Sequence, residues 1–518
     1  MKKCLSALGL GAWLAGCTVG PDYHMPEFPL PASFLPPVVE VVQKQSRETP
    51  SLRAEFFDWW QSLHDPELDS LVARAIESNL DLQIALTRIQ QAETQELVVL
   101  GESLPAAEAT GGGGGGTGNN LTVGRVSQLL RSAQFTRGYS HLQIAGGLDA
   151  AWEIDVFGKF RRMLEAATYD TEALASARDW MLVTVAADVA RAYLDMRAFQ
   201  YELAVLRKNI AVAKGGYDFQ KSRFRQGITN ELDVTLAQRH LETLQSGAAP
   251  VEAQIAASRH VIAVLLGQFP EELSKELARP GKLPVLPAQI PPGLPIDLLR
   301  RRPDIHAAER QLAASTARIG VATADLFPRL IVSGALGGEG GPGRPPSAAQ
   351  IPLTFIGAAG PSVYWPLLDF GRLDAIADIA ELQAHELFVN YKRTILTAVQ
   401  QVDDGVAIYA AAQRRLRGLE RALVAARKAT KLATERYDRG LTDYLNVLDA
   451  EREEFDLEEQ YAGTQQTVAE QLINLYKALG GGWQLHEVIP PIKEPQPAII
   501  AAARRVLEEG QVRQPGGQ

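Results

Sequence analysis

The sequence predicts a mainly α protein with a β-barrel part, built from one helix-strand-strand-helix unit used twice. Three observations predict it. The prolines of the 518-residue chain cluster in 1–50, 270–303 and 490–518, while 106–249 and 367–489 contain none. Proline breaks a helix interior, so the two gaps leave room for very long helices. The chain also repeats itself. Trp152-x4-Phe157-Gly158 recurs as Trp365-x4-Phe370-Gly371, and Arg223-Phe224-x2-Gly227-Ile228-Thr229 recurs as Arg436-Tyr437-x2-Gly440-Leu441-Thr442, both at an offset of 213 residues. Upstream, Asp81-Leu82 matches Asp304-Ile305 and Leu104-Pro105 matches Phe327-Pro328 at an offset of 223. Finally, 106–151 and 329–364, the windows where the offset changes, hold 19 of the 44 glycines and few charges. Short apolar stretches bounded by glycine read as a β-hairpin in each window.

The elements follow in order. Met1-Lys2-Lys3 and an apolar run to Ala15 read as a secretory signal too short to span a bilayer. It ends in Leu14-Ala15-Gly16-Cys17, the pattern of a bacterial lipobox, which makes Cys17 the expected lipid anchor. Thr18 in place of an aspartate suits sorting to the outer membrane. Asp65-Pro66-Glu67 offers a cap and a proline start for a helix running toward Leu104. After the first hairpin, Leu182, Val189, Met196, Leu203, Ile210, Tyr217 and Phe224 are spaced by seven, and Ile395 through Tyr437 repeat the pattern in the second copy. Sustained heptads mean left-handed coiled-coil packing. From Asp155 to Gln226 such a helix would reach about 108 Å at 1.5 Å per residue. Thr229 or Asn230, and Thr442 or Asp443, are suitable N-caps for the returning helices, and Pro250 predicts a kink in the first.

This predicts a signal peptide at 1–16, a lipidated extension at 17–64, and repeat 1 at 65–267 with its strands within 106–151 and its helical tip near 227. A belt at 268–303, repeat 2 at 304–480 with strands within 329–364 and a tip near 440, and a tail at 481–518 complete the chain. Four strands per chain fall short of the roughly eight that a single-chain barrel needs. Free sheet edges are not tolerated in the bilayer core, so several chains must share one barrel. Trp152 and Trp365, each where a hairpin meets a helix, suit the membrane interface and equally suit packing at that junction.

Other classes find little support. The formal net charge of -9 with 22% charged residues excludes a basic nucleic-acid binder. Cys4 and Cys17 are the only cysteines, which excludes a disulfide framework or a CxxC metal site. The eight histidines are scattered, His385-Glu386 lacks the second histidine of HExxH, and the run Gly111 to Gly116 is followed by no Gly-Lys-Ser/Thr. Arg300-Arg301-Arg302 offers a phosphate site, although a basic helix entry or an inter-chain salt bridge explains it more simply. Neither catalytic residues nor a metal site are expected.

Taken together these residues resemble a known family, the TolC-like outer-membrane factors of bacterial tripartite efflux systems, in the lipoprotein branch called NodT-type. The carriers are Cys17-Thr18-Val19-Gly20-Pro21-Asp22-Tyr23, Trp59-Trp60-x3-His64-Asp65-Pro66, Trp152-Glu153-x-Asp155-x-Phe157-Gly158, Arg302-Pro303-Asp304-Ile305 and the two Gly-x-Thr tips. The resemblance implies a homotrimer whose twelve-stranded β-barrel continues into a long α-helical coiled-coil tunnel, in the outer membrane of a Gram-negative bacterium. It implies export of drugs or toxic organics through a passive duct, with a periplasmic adaptor and an inner-membrane pump, of the RND type, as partners. Cys17 would carry diacylglycerol and an N-acyl chain, and no other cofactor is implied. The adaptor-docking tips would be Gly227, Ile228 and Thr229 with Gly440, Leu441 and Thr442, although glycine there also simply turns the chain. Leu445, Asp449 and Arg452, one face of a helix, would form the periplasmic gate. The plainer alternative is a solvated Asp/Arg pair worth about 0.3–0.5 kcal/mol. A type I protein-secretion exit duct and a non-conducting, lipid-anchored coiled-coil scaffold are the competing functions.

Overall fold

A computed structural model of the chain describes residues 18–26, 28, 58–117, 140–281, 284, 302–340 and 353–482. Cys17, Arg300, Arg301, most of the expected belt and nearly all of the tail lie outside them. A short 3-10 turn, Trp59–Leu63, leads into α1 (Pro66–Ser78) and α2 (Leu80–Glu102). Strands β1 (Ala106–Thr117) and β2 (Ser140–Ile154) precede α3 (Lys159–Arg225) and α4 (Glu231–Leu265). The plan then repeats as α5 (Pro303–Ala324), β3 (Arg329–Gly340), β4 (Leu353–Tyr364), α6 (Arg372–Asp438) and α7 (Tyr444–Ala478). The long helices α3 and α6 have 67 residues each, about 100 Å of rod at 1.5 Å per residue.

Several local expectations need correction. The helix from Pro66 does not run unbroken to Leu104: Asn79 leaves helical geometry (φ -62, ψ 130), and its side chain caps α2 by accepting from the Asp81 and Leu82 amides. Its amide group also donates to the Leu265 carbonyl (2.8 Å), so the break is tied to the end of α4. Strand β2 runs past 151 to Ile154, because its ladder with β3 continues through Trp152↔Val332 to Ile154↔Leu330 after β1 has ended. Helix α3 begins at Lys159 rather than Asp155, with Gly158 as its N-terminal elbow. Pro250, where a kink is expected, lies inside α4.

The four strands form one antiparallel sheet in the order β1-β2-β3-β4. Register divides its side chains by period-two alternation. One face carries Leu148, Trp152, Leu330, Val332, Leu336, Phe355 and Val363, and the other carries Glu108, Thr110, Asp149, Glu153, Arg329, Ser333 and Ser362 together with Ile331 and Tyr364. On the second face Thr110 donates to the Asp149 carboxylate (3.3 Å). Strands β1 and β4 are left with one open edge each.

Below the sheet, α2 and α5 pack along the sheet-proximal half of the long helices, and α4 and α7 along the far half. The largest core lies at mid-height, where Trp59, Leu68, Leu71, Val189, Tyr193, Met196, Ile262, Leu472 and Ile473 are buried together. Trp59 stacks on Tyr476 with ring centroids 5.0 Å apart. Asp65, which caps α1, accepts from the Tyr193 hydroxyl (2.7 Å), fixing α1 onto α3. A second core joins Ile305 and Leu312 of α5 to Ile395 and Val402 of α6 and Leu475 of α7. Beyond these cores the heptad seam opens, and Phe224 near the tip is exposed.

Arg302 explains the Arg-Pro-Asp motif without a phosphate or a second chain. It is fully buried, donates to the Ala478 carbonyl at the end of α7 (2.6 Å), pairs with Asp304 (2.7 Å) and lies over the Trp180 ring.

Candidate functional site

The two tips are built alike. Gly227 (φ 72) and Gly440 (φ 71) take the left-handed conformation that lets the long helix stop and turn. Ile228 donates back to the Arg223 carbonyl (3.0 Å) and Leu441 to the Arg436 carbonyl (2.9 Å), the six-to-one bond of a Schellman stop. A Cβ on either glycine would meet no atom within 4 Å, so the tips are bare as well as turned. Ile228 and Leu441 stand exposed beside them. Thr229 bonds to the Asp233 carboxylate, and Thr442 accepts from the Asn446 amide (2.8 Å). Of the candidate caps, Asn230 closes α4 through the Asp233 amide (2.9 Å), whereas Asp443 occupies the cap position of α7 without a side-chain bond.

Sequence reading missed what joins the two hairpins. Gln220 of α3, wholly buried, donates to the Tyr437 hydroxyl of α6 (3.0 Å), and the Arg223 guanidinium lies 5.1 Å over the same ring. Tyr437 packs against Tyr444, beside Ala237, Val447 and Leu448 in a small core at the tips. Higher up, Glu458 of α7 is buried between Arg427 of α6 (2.7 Å) and Lys208 of α3 (3.5 Å). Burial opposes its ionisation, yet Arg427, Lys208 and Asn209 hold it below the usual carboxylate range. None of these pairs follows from periodicity, since Gln220 and Tyr437 stand 217 residues apart.

Leu445, Asp449 and Arg452 lie together on the exposed side of α7, while Tyr444, Val447 and Leu448 form its buried side. Among the described residues neither Asp449 nor Arg452 has an ion-pair partner, so the i,i+3 pair between them does not form within the chain. Behind this face, burial and the nearby Glu454 push the Glu451 carboxyl up to about 7. Burial, followed by Arg452 and Arg239, pushes His240 down.

At the opposite end, Trp152 donates its indole N–H to the Ser103 carbonyl (3.0 Å) and Trp365 donates to the Leu326 carbonyl (3.1 Å). Both rings remain partly exposed at the helical edge of the sheet. The segment after Cys17 is strapped to this edge. Val19 donates to the Phe157 carbonyl (3.1 Å), and Arg162 binds the Val19 and Gly20 carbonyls and the Asp22 carboxylate (2.6 Å). Gly20 crosses Gly320 so closely that a Cβ there would sit 2.4 Å from the Gly320 Cα. No described helix is long and apolar enough to cross a membrane, and no described acidic, histidine and cysteine side chains group to hold a metal.

A sheet with one apolar and one polar face and two open edges, continued by helices about 100 Å long, defines a duct-forming protein whose strands supply part of a barrel. The chain belongs to the outer membrane efflux protein family, whose model matches residues 71–268 and 294–481. It is 31% identical over 471 residues to "Nodulation protein T" of Rhizobium leguminosarum bv. trifolii, covering 91% of this chain and 95% of the relative. It is 29% identical over 491 residues to "Toluene efflux pump outer membrane protein TtgC" of Pseudomonas putida, covering 93% and 96%. Among solved structures it resembles the outer-membrane channel OprN at 32% identity and a TM-score of 0.75, over 90% of this chain and 100% of that one. The protein is an outer-membrane exit duct of a tripartite efflux system.

Proposed function

We propose that three copies close one twelve-stranded barrel and tunnel, through which an inner-membrane pump of the RND type, joined by an adaptor, exports small organic molecules without chemistry in this chain. The observation that carries the proposal is the sheet: alternating apolar and polar faces suit lipid outside and water inside, and two open edges must be paired in a bilayer. The duplication supplies the pairing. Within the chain Ala151 lies opposite Ser333. Moving each partner by its own repeat offset, 213 for the first and 223 for the second, puts Tyr364 opposite Thr110 of the next copy.

The same transfer accounts for exposed apolar residues. Phe157 stacks on Phe327 at 4.7 Å, and the corresponding pair is Phe370 with Leu104 of a neighbouring copy. Leu367, Leu368 and Phe370 are all strongly exposed in one chain, as residues awaiting such a neighbour would be. Because Thr18 is seated against Gly158 at the membrane edge, acylation of Cys17 would place its chains in the inner leaflet beside Trp152. We assign the tips Gly227, Ile228, Thr229, Gly440, Leu441 and Thr442 to adaptor docking, and the exposed Leu445, Asp449 and Arg452 to a closed periplasmic aperture.

The test joins assembly to conduction. Tyr364→Cys with Thr110→Cys should give an oxidant-dependent trimer on non-reducing gels, since directly opposed strand residues are within disulfide reach. Planar-bilayer recordings should show a closed channel that Asp449→Ala with Arg452→Ala opens. No cross-link and no conductance in either form would favour the non-conducting scaffold.

A further inference from the structure

The wall of the duct contains a cavity of about 270 Å³ between α3, α4 and α7, apart from the tips and the aperture face. Its lining combines apolar side chains, Leu206, Leu244 and Phe455 among them, with the carboxylate-bearing Glu202, Asp456 and Glu459. Among the described residues none of these three carboxylates has an ion-pair partner. The cavity also exposes a buried acceptor. Asn209, only 3% exposed, lines it, and its side-chain carbonyl oxygen has no hydrogen-bond partner among the described residues. Its side chain is also among the groups that lower the Glu458 pKa. A buried carbonyl left unsatisfied is unfavourable, and an occupant with an N–H would relieve it.

We infer that this cavity binds a small organic cation carrying both N–H donors and an apolar or aromatic body, of the amidinium, guanidinium or primary ammonium class. The donor reaches the Asn209 carbonyl, the body lies against Phe455 and Leu206, and the charge sits among Glu202, Asp456 and Glu459. A metal ion fits less well, because no described carboxylates converge tightly enough to hold one. Burial, and after it the neighbouring Glu459, raises the Glu202 pKa. Gly247 lines the cavity, and an added Cβ there would make an ordinary contact with Leu206 Cδ2 at 3.6 Å. The inference does not depend on conduction, since binding is read directly.

The probe is benzamidine, titrated calorimetrically into full-length protein in lipid nanodiscs. Binding near 1 mM, about 4.1 kcal/mol for so small a ligand, is expected. Neutral benzamide should bind at least about tenfold more weakly, a 1.4 kcal/mol difference, for want of charge. Benzyltrimethylammonium, charged but without an N–H, should also be weaker. Glu202→Gln with Glu459→Gln should weaken benzamidine by about tenfold or more. Gly247→Leu, whose Cβ meets only the Leu206 side chain, should abolish binding while the elution volume stays unchanged and the melting temperature does not fall. If Gly247→Leu perturbs folding, the Glu202→Gln/Glu459→Gln protein decides alone. Absence of binding up to about 10 mM, well above the weakest useful range, equal affinity for benzamide, or binding indifferent to these variants would each overturn the site.

Discussion

The two elbows where strand becomes long helix share one local design and differ in what covers them. Gly158 (φ 82) and Gly371 (φ 81) each precede a 67-residue helix, and each elbow's tryptophan donates to a carbonyl at the end of the helix before the hairpin. Yet Phe157 is stacked on Phe327 and its carbonyl is held by Val19, whereas Phe370 is 99% exposed with a left-handed backbone (φ 56). Similar sequence produced similar local turns, but only the first elbow finds a partner from the next repeat within the chain; in the proposed trimer the second would find its partner in a neighbouring copy.

The largest effect should come from breaking that asymmetry. Leu368→Asp with Phe370→Asp should abolish the trimer in light-scattering measurements, because buried charges without partners are expensive, while Phe157→Ala should lower stability by about 2 kcal/mol and leave the trimer intact. Next comes the strap. Arg162→Ala strands two carbonyls and loses a buried guanidinium, so about 2–3 kcal/mol should be lost in denaturant titrations, with proteolysis reaching Thr18–Pro26. The second elbow has Ala375 at the corresponding position and nothing comparable to lose.

A smaller effect separates the two returning helices by pH. Glu451, matched by Gln238 in the first copy, has its folded-state pKa raised to about 7 from an ordinary 4.5. The folded form then holds more protons across that window, so stability is greatest below about 4.5 and falls as pH rises through 7. Glu451→Gln should flatten this slope and stabilise the protein at pH 8 by about 1 kcal/mol after solvent screening, measured by melting temperature against pH. The smallest contrast concerns the caps. Asn230→Ala should cost about 1 kcal/mol, whereas Asp443→Ala, at the matching position, should cost little, because only Asn230 makes the capping bond.

Much of this fold was legible in the sequence because it is local or repeated. The proline gaps and heptads mark α3 and α6, the glycine-threonine pairs mark the tips, and the offsets align the two hairpins. The break at Asn79 was hidden, since its signal is an asparagine bonded to a carbonyl 186 residues later. The candidate aperture residues share a helical face by spacing alone, but periodicity does not say which face is buried; the packing of Tyr444, Val447 and Leu448 did.

By itself, then, the sequence determined the repeat, the element types and the turning points, because each depends on backbone preferences and side-chain periods within a few residues. Only the tertiary structure decided the Arg162 strap, the Gln220–Tyr437 contact, the Glu458 junction and the acidic cavity around Asn209. These depend on which side chains from distant segments meet and remain unpaired, and burial energies act on that meeting rather than on nearness along the chain.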